Sequence, residues 1–131
     1  MVGSSGGSTV VITSGTSSYG HLAFATGTAT NDDEYRGLIQ YYHDDNSMRL
    51  YTNATEKLRI DTSGNVGIGT TSPDAAAILD VQSTTKGIRF PNMTTTQKNA
   101  MANVAGMQVF DTTLSKMCFN TGSAWETITS A

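Results

Sequence analysis

The feature that most constrains the fold is a series of short strand-forming segments separated by turn residues. Three of them, Leu38–Tyr42, Met48–Thr52 and Lys57–Asp61, alternate with the turn sequences HDDNS and NATE. β-Branched and aromatic residues favour strands, whereas Asn and Asp favour the backbone of tight hairpin turns. This part of the chain is therefore predicted to form an antiparallel β-meander.

A second meander is predicted near the C-terminus, where GMQVFDTTLSKMCFNTGSAWETI again reads as strand, turn, strand, turn, strand. The two meanders align without a gap at an offset of 68 residues, which places Ile39 on Met107 and Ile60 on Ile128. Between them, TTTQKNAMANV predicts one short helix. Thr94 or Thr95 would be its N-cap, and Gly106 lies just past its end.

The sequence predicts three segments along the chain. Residues 1–34 form an N-terminal strand and arm region, in which Val10–Ile12 and the stretch around Leu22 and Phe24 are strand candidates. Residues 35–73 form the first β-meander module, and residues 74–131 form the second, with a strand, the helix and a meander. Because repeated modules of this kind bury little on their own, stacking into a longer assembly is expected.

Composition points to association with other chains. The 131 residues are 37% hydrophobic and 15% charged, which gives a thin core for one domain. The net charge is −3 and the eight Lys and Arg residues are scattered, so no nucleic-acid partner is predicted. No apolar run reaches the roughly 18 residues of a membrane span, so no membrane partner is predicted either.

The stretch GNVGIGTTSP resembles a phosphate-binding loop only superficially. A P-loop needs a Lys after its glycines, a dinucleotide fingerprint needs a third glycine, and Pro73 stops a helix here. The alternation instead predicts a strand with an apolar face at Val66 and Ile68, and a bare face at Gly67 and Gly69. We expect Gly67 or Gly69 to make a close approach to another backbone.

No enzyme activity, cofactor or metal site is predicted. The acidic clusters at 32–34 and 44–46 lack the spacing of a calcium loop and fit turns. His21 and His43 lack a metal-ligand partner four residues on, and no nucleophile elbow frames a serine. The single cysteine, Cys118, is expected to be a buried strand thiol.

Three aromatic residues, Tyr41, Tyr51 and Trp125, are candidate glycan contacts, with cross-strand packing as the alternative reading of the same residues. Tyr41 and its neighbour Tyr42 should point to opposite faces of a strand, one buried and one exposed. Asn53 and Asn92 each start an N-x-T sequence and are candidate glycosylation sites.

Two long stretches of the sequence resemble known fibre modules. The motif from YRGLIQYY to EKLRIDTSGNVGIGTTSP is similar to a module of tail fibres and other virion appendages of tailed phages. The elements STTKG, a Pro before MTTTQ, GMQVFDT and GSAW resemble a second fibre module. Together they cover residues 35–128, most of the chain.

The resemblance implies a mainly β protein with two small antiparallel β-meander modules and one short helix, assembled as an intertwined fibre. It implies a non-enzymatic structural subunit that self-associates, located on a virion or another extracellular appendage and contributing to host attachment. A homotrimer and an end-to-end helical filament both remain open, and in a filament Val10–Ile12 would be a donor strand for a neighbouring copy. The alternative function is a tip module that binds a cell-surface glycan or another receptor.

Overall fold

The computed structural model describes residues 9–25 and 35–129. The chain divides into two compact units, Met1–Lys86 and Gly87–Ala131, which are described separately below. Both units are built on β-sheet, so the expected mainly β fold with one short helix is confirmed. The division of the sequence into three segments stays a prediction.

The first unit contains one six-stranded sheet whose strands are neighbours in sequence order. β1 to β5 pair antiparallel, and β6 pairs parallel with β5. The strands are β1 (Tyr19–Phe24), β2 (Gly37–Tyr42), β3 (Ser47–Thr52), β4 (Thr55–Ile60), β5 (Val66–Ile68) and β6 (Leu79–Val81).

Turn chemistry fixes the register of the first meander. β2 and β3 are joined by residues 43–46, which end on Asn46 with a φ of 51°. The Asp45 carboxylate accepts hydrogen bonds from the Ser47 N–H and hydroxyl at 3.1 and 2.6 Å. β3 and β4 are joined by Asn53 and Ala54, both with positive φ, as a two-residue hairpin turn requires. The predicted first meander is confirmed.

The described residues of the second unit form a four-stranded sheet in the order β10-β9-β8-β7 and a helix of five residues. β8, β9 and β10 form the second predicted meander, and β7 pairs parallel with β8. The elements are β7 (Asn92–Met93), α1 (Thr95–Asn99), β8 (Gln108–Asp111), β9 (Lys116–Asn120) and β10 (Trp125–Thr127).

The helix begins where predicted but ends earlier. Thr94 is the N-cap, and its side chain forms a capping box with Gln97. The helix stops at Asn99, well before Gly106, and the Ala100 N–H closes its last turn by donating to the Thr96 and Gln97 carbonyls. The Gly106 N–H donates to the Asn120 carbonyl at 2.8 Å, which holds the segment around Gly106 against β9.

Two other expectations are wrong in detail. Val10–Ile12 is not a strand within the described chain, since three β-branched residues favour an extended backbone but no neighbouring strand pairs with them.

The second correction concerns the alignment of the two meanders. In the structure, matching positions of their first hairpins are separated by one residue more than the 68 residues of the sequence alignment. Tyr42 pairs with Ser47 in the first meander, whereas Asp111 pairs with Lys116 in the second.

A buried ion pair connects the helix to the sheet of the second unit. Lys98 Nζ lies 3.0 Å from Asp111 Oδ2, and the two side chains are only 5% and 0% exposed. The Thr95 hydroxyl donates to Asp111 at 2.8 Å, and the N–H groups of Thr113 and Leu114 donate at 2.9 and 3.0 Å. The carboxylate is therefore fully satisfied although water does not reach it.

These contacts shift the protonation equilibria of both groups. Burial alone would raise the pKa of Asp111, but the hydrogen bonds from Leu114, Thr95 and Lys98 outweigh it and lower the pKa to about 2. Burial alone would lower the pKa of Lys98, but its hydrogen bond to Asp111 raises that pKa instead. Both groups are therefore charged at neutral pH.

The depressed pKa of Asp111 predicts an acid-sensitive second unit. An Asp in the unfolded chain has a pKa of about 4. The stabilisation from Asp111 is therefore complete above that pH and is lost as the pH falls toward about 2. Asp111→Asn should remove part of this pH dependence and lower stability at pH 7. Urea unfolding followed by the fluorescence of Trp125, the single tryptophan, measures both effects.

The matched control is Glu126→Gln, which neutralises an exposed carboxylate on β10 of the same sheet. It should leave the pH dependence of unfolding largely intact. An Asp111→Asn protein with the wild-type dependence between pH 5 and pH 2 would contradict the assignment.

Candidate assembly surface

One face of the six-stranded sheet carries a row of aliphatic side chains that runs across every strand. Directly paired residues point to the same side of a sheet, so the pairing register alone defines the row. We call it the aliphatic row. Its members, one from each strand in order, are Leu22, Ile39, Leu50, Leu58, Ile68 and Val81.

A second paired row lies beside the first on the same face and consists of Gly20, Tyr41, Met48, Ile60, Val66 and Leu79. The two rows together are called the apolar face. They carry no formally charged side chain. Water reaches this face freely, because five of the six residues in the aliphatic row are 38–50% exposed.

The opposite face of the sheet is more polar, and its charged side chains pair within the chain. His21 on this face has a buried ring nitrogen, Nδ1, with no hydrogen-bond partner among the described residues. The Arg59 guanidinium donates to both Glu56 carboxylate oxygens at 2.8 and 3.0 Å, and the Tyr51 hydroxyl donates to the same carboxylate at 3.3 Å. Arg49 donates to Asp45 and lies 4.6 Å from the centre of the Tyr42 ring. The Arg49, Glu56 and Arg59 side chains are only 8–15% exposed, so their charges are compensated inside the chain.

The described chain contains very little core. Among residues 9–25 and 35–129, the buried apolar side chains are Leu38, Val109 and Cys118. Soluble single chains rarely leave a large contiguous apolar patch in water. The apolar face is therefore the candidate functional surface of this molecule, and its chemistry suits another apolar protein surface.

Residues before β1 cover one corner of the apolar face. Val10 and Ile12 line a groove of about 340 Å³ together with Leu22, Ile39 and Tyr41. Val10 is still 75% exposed and Ile12 is 51% exposed, so this segment does not supply the missing layer.

The three candidate glycan contacts do not form one patch. Tyr41 is on the apolar face, with its hydroxyl donating to Asn46 at 3.1 Å, whereas Tyr51 is on the polar face. Trp125 is in the second unit, half-buried, with Lys98 Nζ 5.8 Å from its ring centre. Tyr41 and Tyr42 do lie on opposite faces, but both are half-buried, so the expected contrast in exposure is wrong.

The candidate glycosylation sites are both exposed. Asn53 is the first residue of the turn between β3 and β4, and its side-chain oxygen accepts a hydrogen bond from Arg36 at 2.9 Å. Asn92 is exposed at the start of β7.

The two glycines of β5 and the following turn have crowded surroundings. A Cβ on Gly67 would lie 3.1 Å from the Thr70 carbonyl oxygen and 3.2 Å from the Pro73 ring, because the loop after β5 folds back over it. A Cβ on Gly69 would collide with the Gln82 carbonyl oxygen, and Gly69 also has a φ of 75°.

Sequence reasoning missed the aliphatic row as a surface. The alternation of Leu22 with Phe24 and of Val66 with Ile68 was visible in the sequence, but the pairing of all six strands was not.

Cys118 is buried as expected. Within the described residues there is no cluster of three potential metal ligands, and no helix is long and apolar enough to cross a membrane.

Comparison with known proteins gives one family match. Residues 67–131, just under half of the chain, match a family described as a phage tail like trimerisation region. The match begins in β5 and includes β6 and the whole second unit. It supports a phage tail-type structural role, points to a non-catalytic, virion-associated protein, and indicates self-association as a trimer. No curated protein and no solved structure matched significantly.

The crowding at Gly69 predicts a strong effect of a single methyl group. Gly69→Ala should destabilise the first unit by about 2–4 kcal/mol, since it combines a positive φ with a collision against backbone. Gly64→Ala is the matched control, because Gly64 has a φ of 86° with nothing within 4 Å, and it should cost about 1 kcal/mol.

Thermal unfolding followed by far-ultraviolet circular dichroism measures the difference between the two variants. Equal destabilisation by Gly64→Ala and Gly69→Ala would show that the contact with the Gln82 carbonyl has no effect on stability.

Proposed function

We propose that this chain is a non-enzymatic structural subunit of a phage tail-type fibre and that it works as a homotrimer on the virion surface. The observation that carries the proposal is the family match over residues 67–131, which describes a trimerisation region. The scarcity of buried apolar side chains in the described chain supports it independently.

The physical basis of the proposal is the cost of leaving apolar surface in water. Each square ångström of apolar surface removed from water contributes about 25 cal/mol, so a chain with few buried apolar residues gains most of its stability by association. A closed trimer is favoured over an end-to-end filament because the matched family is a trimerisation region.

Sedimentation equilibrium of the full chain tests the proposal. We expect a species of three chains, each of 13.9 kDa, that persists on dilution to micromolar concentration. Negative-stain electron microscopy then distinguishes closed particles from filaments that lengthen with concentration. A stable single chain over the same range would overturn the proposal.

A second proposal is that the fibre also contributes to host attachment by binding a cell-surface glycan. It is supported by a recess of about 290 Å³ on the polar face, lined by Tyr51 with Tyr19, Tyr35 and Gln40. Tyrosine rings present apolar faces with a polar tip, which suits sugars. Trp125, in the second unit, is a separate candidate contact, whereas Tyr41 lies on the apolar face.

Glycan-array binding by the wild-type assembly and by two single variants tests this second proposal. Tyr51→Ala should abolish binding if the recess is the site, while Trp125→Ala reports on the second unit. Each variant must keep the wild-type sedimentation profile for the comparison to be valid. No binding by the wild type would overturn the proposal.

Glycosylation of Asn53 and Asn92 is also proposed, because both side chains are exposed. Intact mass measurement of native material, with and without glycosidase treatment, detects it. A mass equal to that of the unmodified chain would contradict it.

A further inference from the structure

We infer that the apolar face of the first unit is the surface on which copies of this chain meet, with the aliphatic row at the centre of the contact. This inference rests on the proposed trimer and adds to it the surface involved. Four of the six strands that form this face, β1 to β4, precede the family match. A contact between copies is therefore assigned to a part of the chain that the family match does not cover.

Continuity with the matched region is the first argument. β5 and β6 lie almost entirely within residues 67–131, and they contribute Ile68 and Val81 to the aliphatic row. Their neighbours in the same row, Leu58 and Leu50, belong to strands in direct register with them. If copies of the chain meet through β5 and β6 on the apolar face, the same contact continues across the rest of the aliphatic row.

The chemistry of the face is the second argument. Because its paired rows are apolar and carry no formal charge, the face is complementary to itself. Two or three identical faces can meet around a symmetry axis without burying an unpaired charge. A charged partner, such as a nucleic acid or an acidic peptide, would find nothing on it to bind.

The polar face supplies the third argument by contrast. Its charged side chains Arg49, Glu56 and Arg59 pair with one another or with Asp45 inside one chain, so no second copy is needed to neutralise them. The apolar face, by contrast, has nothing in the described chain that covers most of it, so burial against other copies gains most there. The apolar face is therefore directed toward the other copies.

Charge placed on the apolar face tests the inference. Ile39→Glu and Leu22→Glu change paired, half-exposed residues of the aliphatic row outside the family match. In a single chain each new carboxylate still reaches water, so the sheet should fold. In the trimer, three carboxylates would be buried together, and we expect the association midpoint to rise at least about 100-fold in concentration.

Ile78→Glu is the matched control. It makes the same chemical change at an aliphatic residue that is 74% exposed and lies outside both paired rows. We expect it to associate like the wild type. Sedimentation equilibrium measures all three variants, and binding of the dye ANS should increase only when the apolar face is released to water.

The outcomes separate the inference from the proposed function. A trimeric wild type with Ile39→Glu and Leu22→Glu associating unchanged would overturn the inference and leave the trimer standing. Equal dissociation by Ile78→Glu would also overturn it, because the effect would not be specific to the face. A single-chain wild type would overturn both.

A second measurement covers the case in which a charged variant does not fold. Ile39→Cys introduces a thiol that a soluble reagent should label quickly in dissociated chains and slowly in the trimer, while the native Cys118 is buried. A labelling rate that does not change on association would overturn the inference.

Discussion

The uncovered apolar face of the six-stranded sheet is the constraint on which the rest of this structure depends. A β-sheet with one apolar face needs a second layer, and in most domains a helix or another sheet of the same chain supplies it. The described part of the first unit offers only Val10 and Ile12, at one corner. Folding of the unit and association of its copies are therefore physically linked, since the same side chains drive both.

The second unit also has few buried apolar residues, and polar contacts hold its helix in place. Its helix has five residues, too few to be stable in isolation, and it is held by the buried pair of Lys98 and Asp111 rather than by a wide apolar stripe. Asn120 extends the polar network by donating to Asn103 at 3.1 Å and by accepting from the Gly122 N–H at 2.8 Å. Hydrogen bonds of fixed geometry specify this small unit where apolar volume is scarce.

Both units carry ion pairs that are largely shielded from water. In the first unit the side chains of Arg49, Glu56 and Arg59 are 8–15% exposed, and only their partner Asp45 is more open, at 40%. In the second unit Lys98 and Asp111 are buried beneath a helix, where removing one partner is costly. Because shielded ion pairs add little net stability, burial of the apolar face between copies is the main stabilising contribution available to the first unit.

Much of the local structure could be predicted from the sequence because its causes are local. Asn53 and Ala54 form the expected hairpin turn, Thr94 caps the helix, and Cys118 is buried in a strand. The course of the chain after the helix could not be predicted, since it includes a long-range hydrogen bond between Gly106 and Asn120. The lack of a strand at Val10–Ile12 depends likewise on whether a partner strand is present.

The sequence by itself determined where strands, turns and the helix cap occur, because these follow from backbone preferences of a few neighbouring residues. It also pointed to a thin core, since apolar residues are few. Only the tertiary structure decided that six aliphatic residues, contributed one by each strand between Leu22 and Val81, form a single uncharged row. It also decided that Tyr41 and Tyr51 lie on opposite faces. Both results come from strand register, which long-range hydrogen bonds set and no short stretch of sequence contains.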